Sequence, residues 1–247
     1  MINKLLNFLR SLKKNQAEIK KLQYKNLSTS NEILWSSIFH DSIRDKEPLQ
    51  KLSLNIGRWA GGYPFFYILN RILSVKKPET ILEFGLGESS KFISTYLDYY
   101  LLDSSHLIIE QDEQWKLTFE KQFILNERSR IEVLPLVQKE VYSYLVNSYD
   151  NIEEKVEGKF HLYIVDGPFG SPRFSRYDII LLAERLESSD DFIIIVDDTN
   201  RIGELDTVNE IETLFNKKGI TFFKGVYSGE KTSTLIVSSN NKYFLSL

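Results

Sequence analysis

Five acidic side chains stand at the ends of short apolar runs in this chain, each where a β-strand would give way to a turn. Ile81-Leu82-Glu83-Phe84 leads into Gly85-Leu86-Gly87, and Leu107-Ile108-Ile109 ends in Glu110-Gln111-Asp112. Tyr163-Ile164-Val165 ends in Asp166-Gly167-Pro168, and Phe192-Ile193-Ile194-Ile195-Val196 ends in Asp197-Asp198-Thr199-Asn200. A carboxylate beside an apolar centre is costly unless a cation or a set of hydrogen-bond donors meets it. Asp166, Asp197 and Asp198 therefore ask for positive charge, and oxygen-only ligands at adjoining strand ends suit a hard ion such as Mg²⁺ or Mn²⁺. Two alternatives stand beside the metal: Asp166 binding a ligand's ammonium, or Asp198 capping the next helix. Glu83, two residues before the first glycine, suits a ligand carrying an ammonium or hydroxyl groups. Gly85 and Gly87 let the backbone turn sharply and a ligand come close, while Ser89 or Ser90 can cap a helix whose free N–H groups face that ligand.

These residues need a frame that brings strand ends together. Strand candidates fall at 80–84, 106–110, 130–135, 160–166, 191–197, 220–227 and 232–238, with helices at about 89–102, 113–127, 138–149, 176–188 and 204–217. Repeated strand then helix implies a parallel sheet covered on both faces, with Phe192 to Val196 at its buried centre. The end differs: Thr221–Tyr227, the turn Ser228-Gly229-Glu230-Lys231 and Thr232–Ser238 read as an antiparallel hairpin. In open α/β sheets ligands sit beyond the carboxyl ends of the strands, where the acids lie.

Upstream, Lys76-Lys77-Pro78 ends a helix and divides the chain into an N-terminal helical extension, 1–77, and a main domain, 78–247. Residues 26–56 read as polar loop and short helix, with Trp35, Ile38 and Phe39 as anchors. The stretch Arg58-Trp59-Ala60-Gly61-Gly62-Tyr63 is either a wall over a ligand or a turn that pins the extension to the core. Residues 1–25 carry seven basic side chains against Glu18 alone, with Leu5, Leu6, Leu9 and Leu12 on one stripe. Such a helix either covers the main domain or docks on an anionic membrane, a partner or a second subunit.

Composition narrows the function. A net charge of -3 and a sequence pI near 5.8 give no drive toward nucleic acid. The absence of cysteine excludes disulfides, thiolate metal sites and cysteine nucleophiles. His40, His106 and His161 lie far apart and are expected to be structural. No run approaches a membrane span and no signal peptide is evident, which points to the cytoplasm.

The segment Glu83-Phe84-Gly85-Leu86-Gly87-Glu88-Ser89 resembles motif I of the class I S-adenosylmethionine-dependent methyltransferases, with Ser89 where the third glycine usually stands. The closing hairpin fits the same family, whose sheet sets a last strand antiparallel between the fifth and sixth, and the resemblance covers 78–247. It implies a Rossmann-like α/β fold with a seven-stranded, mostly parallel sheet. It also implies cofactor contacts from Glu83, Gly85, Gly87, Glu88, Ser89, Ser90, Glu110, Gln111 and Asp166, with Glu110 on the ribose hydroxyls. Asp166 and Asp197 are similar in place to the metal-binding aspartates of metal-dependent O-methyltransferases, although Asp198 stands where those have Asn and Phe169 where they have Lys. In combination, Trp59-Ala-Gly-Gly-Tyr, Glu-Phe-Gly-Leu-Gly-Glu-Ser, Val-Asp-Gly-Pro and Asp-Asp-Thr-Asn-Arg resemble bacterial methyltransferase-like proteins of surface-glycan synthesis, which makes a glycan or small-molecule hydroxyl the expected acceptor. Asp166 and Asp197 are the candidate catalytic acids. Arg173 and Arg176 join them, either gripping an anionic substrate or pairing with Asp197 and Asp198. The competing functions are a nicotinamide-dependent oxidoreductase, against which the glycine spacing and the hairpin both speak, and a non-catalytic assembly subunit of glycan synthesis.

Overall fold

The computed structural model describes residues 2–246. In chain order its strands are β1 (Thr80–Phe84), β2 (Ser105–Glu110), β3 (Ser129–Val133), β4 (Leu136–Val141), β5 (Tyr144–Tyr149), β6 (Leu162–Val165), β7 (Ile193–Val196), β8 (Phe222–Ser228) and β9 (Thr232–Ser238). Seven of them form one sheet in the order β3-β2-β1-β6-β7-β9-β8, while β4 and β5 pair apart from it. The first five strands of the sheet run parallel, and β9 is antiparallel to both β7 and β8. This is the strand order of a class I methyltransferase sheet, closing hairpin included, as the sequence led us to expect.

Alternation along the strands explains the layering. Ile81, Leu162, Ile164, Ile193 and Ile195 face one cluster with Phe66, Phe92 and Tyr96, from α3 (Tyr63–Arg71) and α4 (Glu88–Tyr99). Leu82, Phe84, Tyr163, Val165, Ile194 and Val196 face the other, with Ile179, Ile180, Val208, Ile211 and Phe215 from α7 (Asp178–Ala183) and α8 (Ile202–Lys218). All four residues of β7 are buried, as expected for a parallel strand covered on both faces. β1 starts two residues beyond the division expected at 77/78. Phe39, Ile43, Leu49, Phe65 and Leu73, upstream of it, share the first cluster with the sheet.

Three stretches depart from expectation. Residues 138–149, expected to be helical, form the β4–β5 hairpin. Its turn, Tyr142-Ser143, takes positive φ at both positions (48° and 69°) without a glycine to announce it, and the alternation Val146, Ser148 sends side chains inward. Residues 26–42 continue α1 (Ile2–Ser42), a single 41-residue helix. Every described side chain of α1 up to Leu27 is exposed and burial begins at Ser28, so the helix covers the sheet with its second half only. The loop before α3 is pinned at its glycine pair: Glu32 accepts the Tyr63 N–H at 2.6 Å, while Trp59 stands 93% exposed.

The turns after β1 and β6 touch. A Cβ at Gly167 would lie 2.6 Å from the Tyr149 hydroxyl and 2.8 Å from the Gly85 nitrogen, whereas one at Gly87 would meet nothing within 4 Å. Gly167→Ala is therefore expected to cost about 1–3 kcal/mol in urea denaturation, and Gly87→Ala to stay within about 0.5 kcal/mol.

Candidate active site

The sheet order reverses between β1 and β6, so their carboxyl ends border the switch-point crevice. After β1 the chain turns through Gly85 at φ +96° into α4, whose first turn is closed by Ser90: its hydroxyl accepts the Gly87 N–H at 3.0 Å and donates to Glu83 at 2.8 Å. Ser90 thus caps from the third helical position, and Ser89 is buried beside it. Glu83 is fully buried. Its Oε2 also lies 3.0 Å from His106 Nε2, so Glu83 ties β1 to β2 and α4, while its Oε1 is buried with no partner. Glu88 is likewise taken up on the protein, pairing with Lys91 at 2.7 Å and accepting the Asn55 N–H at 3.0 Å. The other histidines carry no chemistry here: His161 meets Thr80 at 3.0 Å and His40 packs on Phe39 and Tyr63.

At the end of β2, Glu110 accepts three backbone N–H groups, from Leu86, Gln111 and Asp112, at 2.7–2.9 Å. Burial raises its pKa, and those three donors partly offset the rise. The same contacts clamp the glycine turn to β2, since a carboxylate has about four lone-pair sites and three are used here. Gln111 keeps a buried side-chain oxygen with no partner. Asp112 caps α5 (Glu113–Glu120), which lets the Trp115 indole reach across and donate to Leu86 O at 2.7 Å. The indole is half-exposed beside the glycine turn. Sequence reasoning missed it, because its place depends on where α5 starts.

Beyond β6 and β7 the acids cluster. Asp166, Asp197 and Asp198 can each offer a carboxylate oxygen within 4.8 Å of the others. Cations of the chain already stand among them. Arg176 is buried and bridges Asp166 and Asp198 through Nη2 at 3.1 and 3.0 Å, while its Nη1 donates to Val165 O and Asp197 O. Lys231 Nζ lies 3.4 Å from Asp197 and 3.2 Å from Asp198, and Ser233 donates to Asp197 at 2.7 Å. Arg201 adds a contact to Asp198 at 3.1 Å, and both arginines approach Glu204. Four carboxylates therefore meet three cations. Arg176 and Asp198 both sit at positive φ (62° and 60°), a strained backbone concentrated at this cluster.

At the expected metal site the three carboxylates already have partners from the chain. A divalent ion would need the oxygens that Arg176 and Lys231 hold, so the donor set does not fit one. Arg176 is committed to the protein, whereas Arg173, 38% exposed, pairs with Asp206 at 3.0 Å and stacks over Tyr144 at 5.0 Å. Asp197 is fully buried and cannot touch an acceptor. Asp166 is the most exposed of the three side chains, 17% against 4% for Asp198 and none for Asp197; burial pushes its carboxyl up to about 7 against the opposing pull of Arg176. Sequence reasoning did not single out Lys231, although the expected hairpin was a signal: β9 pairs antiparallel to β7, so its first residues lie beside Asp197.

No protein-family model matches the chain, and no curated protein matches it. Solved structures do. One is the O-methyltransferase TomG from Streptomyces achromogenes, involved in tomaymycin synthesis and solved with SAM, at 14% identity and TM-score 0.49 over 82% of this chain and 88% of that one. Another is the SAH-bound methyltransferase PaMTH1 of Podospora anserina, at 12% identity and TM-score 0.42 over 85% and 88%. Both likenesses are distant.

Removing Arg176 as Met leaves buried carboxylates uncompensated and is expected to cost about 3–5 kcal/mol. Arg173→Met, at a more exposed pair, should cost at most about 1 kcal/mol in the same urea titration.

Proposed function

We propose that this protein is an S-adenosylmethionine-dependent methyltransferase that methylates a hydroxyl of a small molecule or glycan without a divalent metal. The observation that carries this reading is the open glycine turn at the switch point, set between Glu110 on one side and Asp166 on the other. The residues fit an adenosyl ligand. Gly87 leaves room for close approach, Glu110 retains acceptor capacity for a ribose hydroxyl, Gln111 has an unpaired buried oxygen, and Trp115 supplies an aromatic wall. The glycan acceptor follows the resemblance of the four sequence motifs. The dinucleotide alternative loses support from the antiparallel β9.

S-adenosylmethionine, when bound, supplies a methyl group already activated on a sulfonium. What this chain adds is alignment, exclusion of water and a place for the acceptor's proton. Asp166 is the group that takes the proton, being at the crevice, partly exposed, and steadied by Arg176 through one carboxylate oxygen. An acceptor oxygen that took the methyl group from the sulfonium, the S–C bond electrons staying on sulfur as the neutral thioether of S-adenosylhomocysteine, would pass its proton to the Asp166 carboxylate. Asp197, Asp198 and Lys231 keep that carboxylate's neighbours fixed and do not meet the substrate.

Calorimetry should show micromolar binding of S-adenosylmethionine and S-adenosylhomocysteine and none of NAD; no binding of any of the three would favour the assembly-subunit reading instead. Glu110→Ala should weaken the binding by about tenfold or more.

Because the Asp166 pKa is raised, the carboxylate is protonated and inactive as a base below about 7 and ionised above it. Methyl transfer should accordingly rise through about pH 7. Asp166→Asn should remove that limb and slow transfer about 10²–10⁴-fold while sparing cofactor affinity. A mutant rate that still rises through pH 7 would exclude Asp166 as the base.

A further inference from the structure

The first part of α1 is a helix without a partner. From Leu9 to Leu27 every side chain is exposed, including Leu9, Leu12, Ile19, Leu22 and Leu27 at 42–59%. At 100° per residue Leu9, Leu12, Ile19 and Leu27 fall within a sector of about 80°, and Arg10, Lys14, Lys21 and Lys25 within about 60° on the opposite side. Lys13 and Lys20 flank the apolar stripe. Residues 2–27 extend for about 39 Å, longer than a small domain's radius, so the stripe cannot be read as an incidental surface patch.

The charge distribution selects what covers the stripe. Residues 1–25 have seven basic side chains and one acidic, whereas the remaining 222 residues hold 24 basic and 33 acidic. The helix is thus a cationic arm on an anionic body. Pairing two copies of the arm along the stripe would set Lys13 and Lys20, at its edge, against the other copy and leave the opposite basic face uncompensated, which disfavours a second copy. A bilayer of anionic lipid satisfies both faces at once: the leucines and isoleucine enter the acyl boundary, the lysine stems snorkel, and the ammonium groups meet headgroup phosphates. No helix among the described residues is long and apolar enough to cross a membrane, so the contact is one of lying on the surface.

We propose that residues 2–27 of α1 dock the protein on an anionic lipid surface. This assignment stands apart from the methyltransferase reading. The root of the arm is fixed to the body by Glu32, which accepts the N–H groups of Tyr63 and Glu230, and by Thr29, which donates to Glu230. A docked arm therefore holds the crevice at a set distance from the lipid.

The test is flotation of the full chain with phosphatidylcholine vesicles and with vesicles carrying about 30 mol% phosphatidylglycerol. The wild type should bind the anionic vesicles at least about tenfold more strongly, and lose that binding at high salt in part. Leu12→Glu with Ile19→Glu, and separately Lys13, Lys14, Lys20 and Lys21 each changed to Gln, should weaken it by about tenfold or more. Both variants should keep the wild-type melting temperature and S-adenosylhomocysteine affinity, because the altered side chains touch nothing in the body. Equal binding to both vesicle types, binding to neither, or unaltered binding by both variants would overturn the proposal. So would a lipid-free dimer in sedimentation that Leu12→Glu with Ile19→Glu abolishes, which would assign the stripe to a second copy.

Discussion

Buried carboxylates at strand ends must be neutralised, and in this protein the neutralisation is done by its own side chains. Arg176, Lys231 and Arg201 lie among Asp166, Asp197, Asp198 and Glu204, and each cation comes from a different part of the chain. Arg176 belongs to the loop leading into α7, Arg201 immediately precedes α8, and Lys231 immediately precedes the return strand β9. The cluster therefore joins three connections at the carboxyl edge of the sheet, and its energy depends on all of them being in place. Removing one partner of a buried pair is much worse than removing the whole pair, which makes such a cluster intolerant of partial change. It also sets what the crevice can do. With Asp197 and Asp198 turned inward, Asp166 is left as the acid at the opening.

The same constraint reaches α1. Glu32 accepts the backbone N–H of Glu230, next to Lys231, and that of Tyr63, at the start of α3. A Cβ at Gly229 would lie 1.9 Å from this carboxylate, so a larger residue there would displace the Glu32 side chain from its present contacts. The arm's root, the glycine-aromatic loop and the turn carrying Lys231 are one packed unit.

Much of this was legible in the sequence. Period-two apolar runs gave strand positions to within a few residues, and a hairpin with no helix between its strands identified the reversed last strand. The acids were found because a carboxylate after an apolar run is conspicuous. Their partners were harder. Two roles stood open for Arg176, and only the distances decide for the ion pair; Lys231 lies 34 positions from Asp197 and is brought near by strand pairing alone. Glu83 read as a ligand contact because its position matched, yet a side chain's direction is set by what lies across the sheet, here His106. The β4–β5 hairpin escaped notice because Tyr142 and Ser143 make a turn usually marked by glycine or asparagine.

If Arg176 and Lys231 fill the position that a divalent ion would take, then three clustered carboxylates do not amount to a metal site, however close their oxygens lie. The most direct measurement is electron paramagnetic resonance of Mn²⁺ titrated into the wild-type protein. We expect the free-ion signal to be undiminished when protein is in excess over the ion at sub-millimolar concentrations. Stoichiometric loss of the free signal with the wild type, reversed by Asp198→Asn, would contradict it.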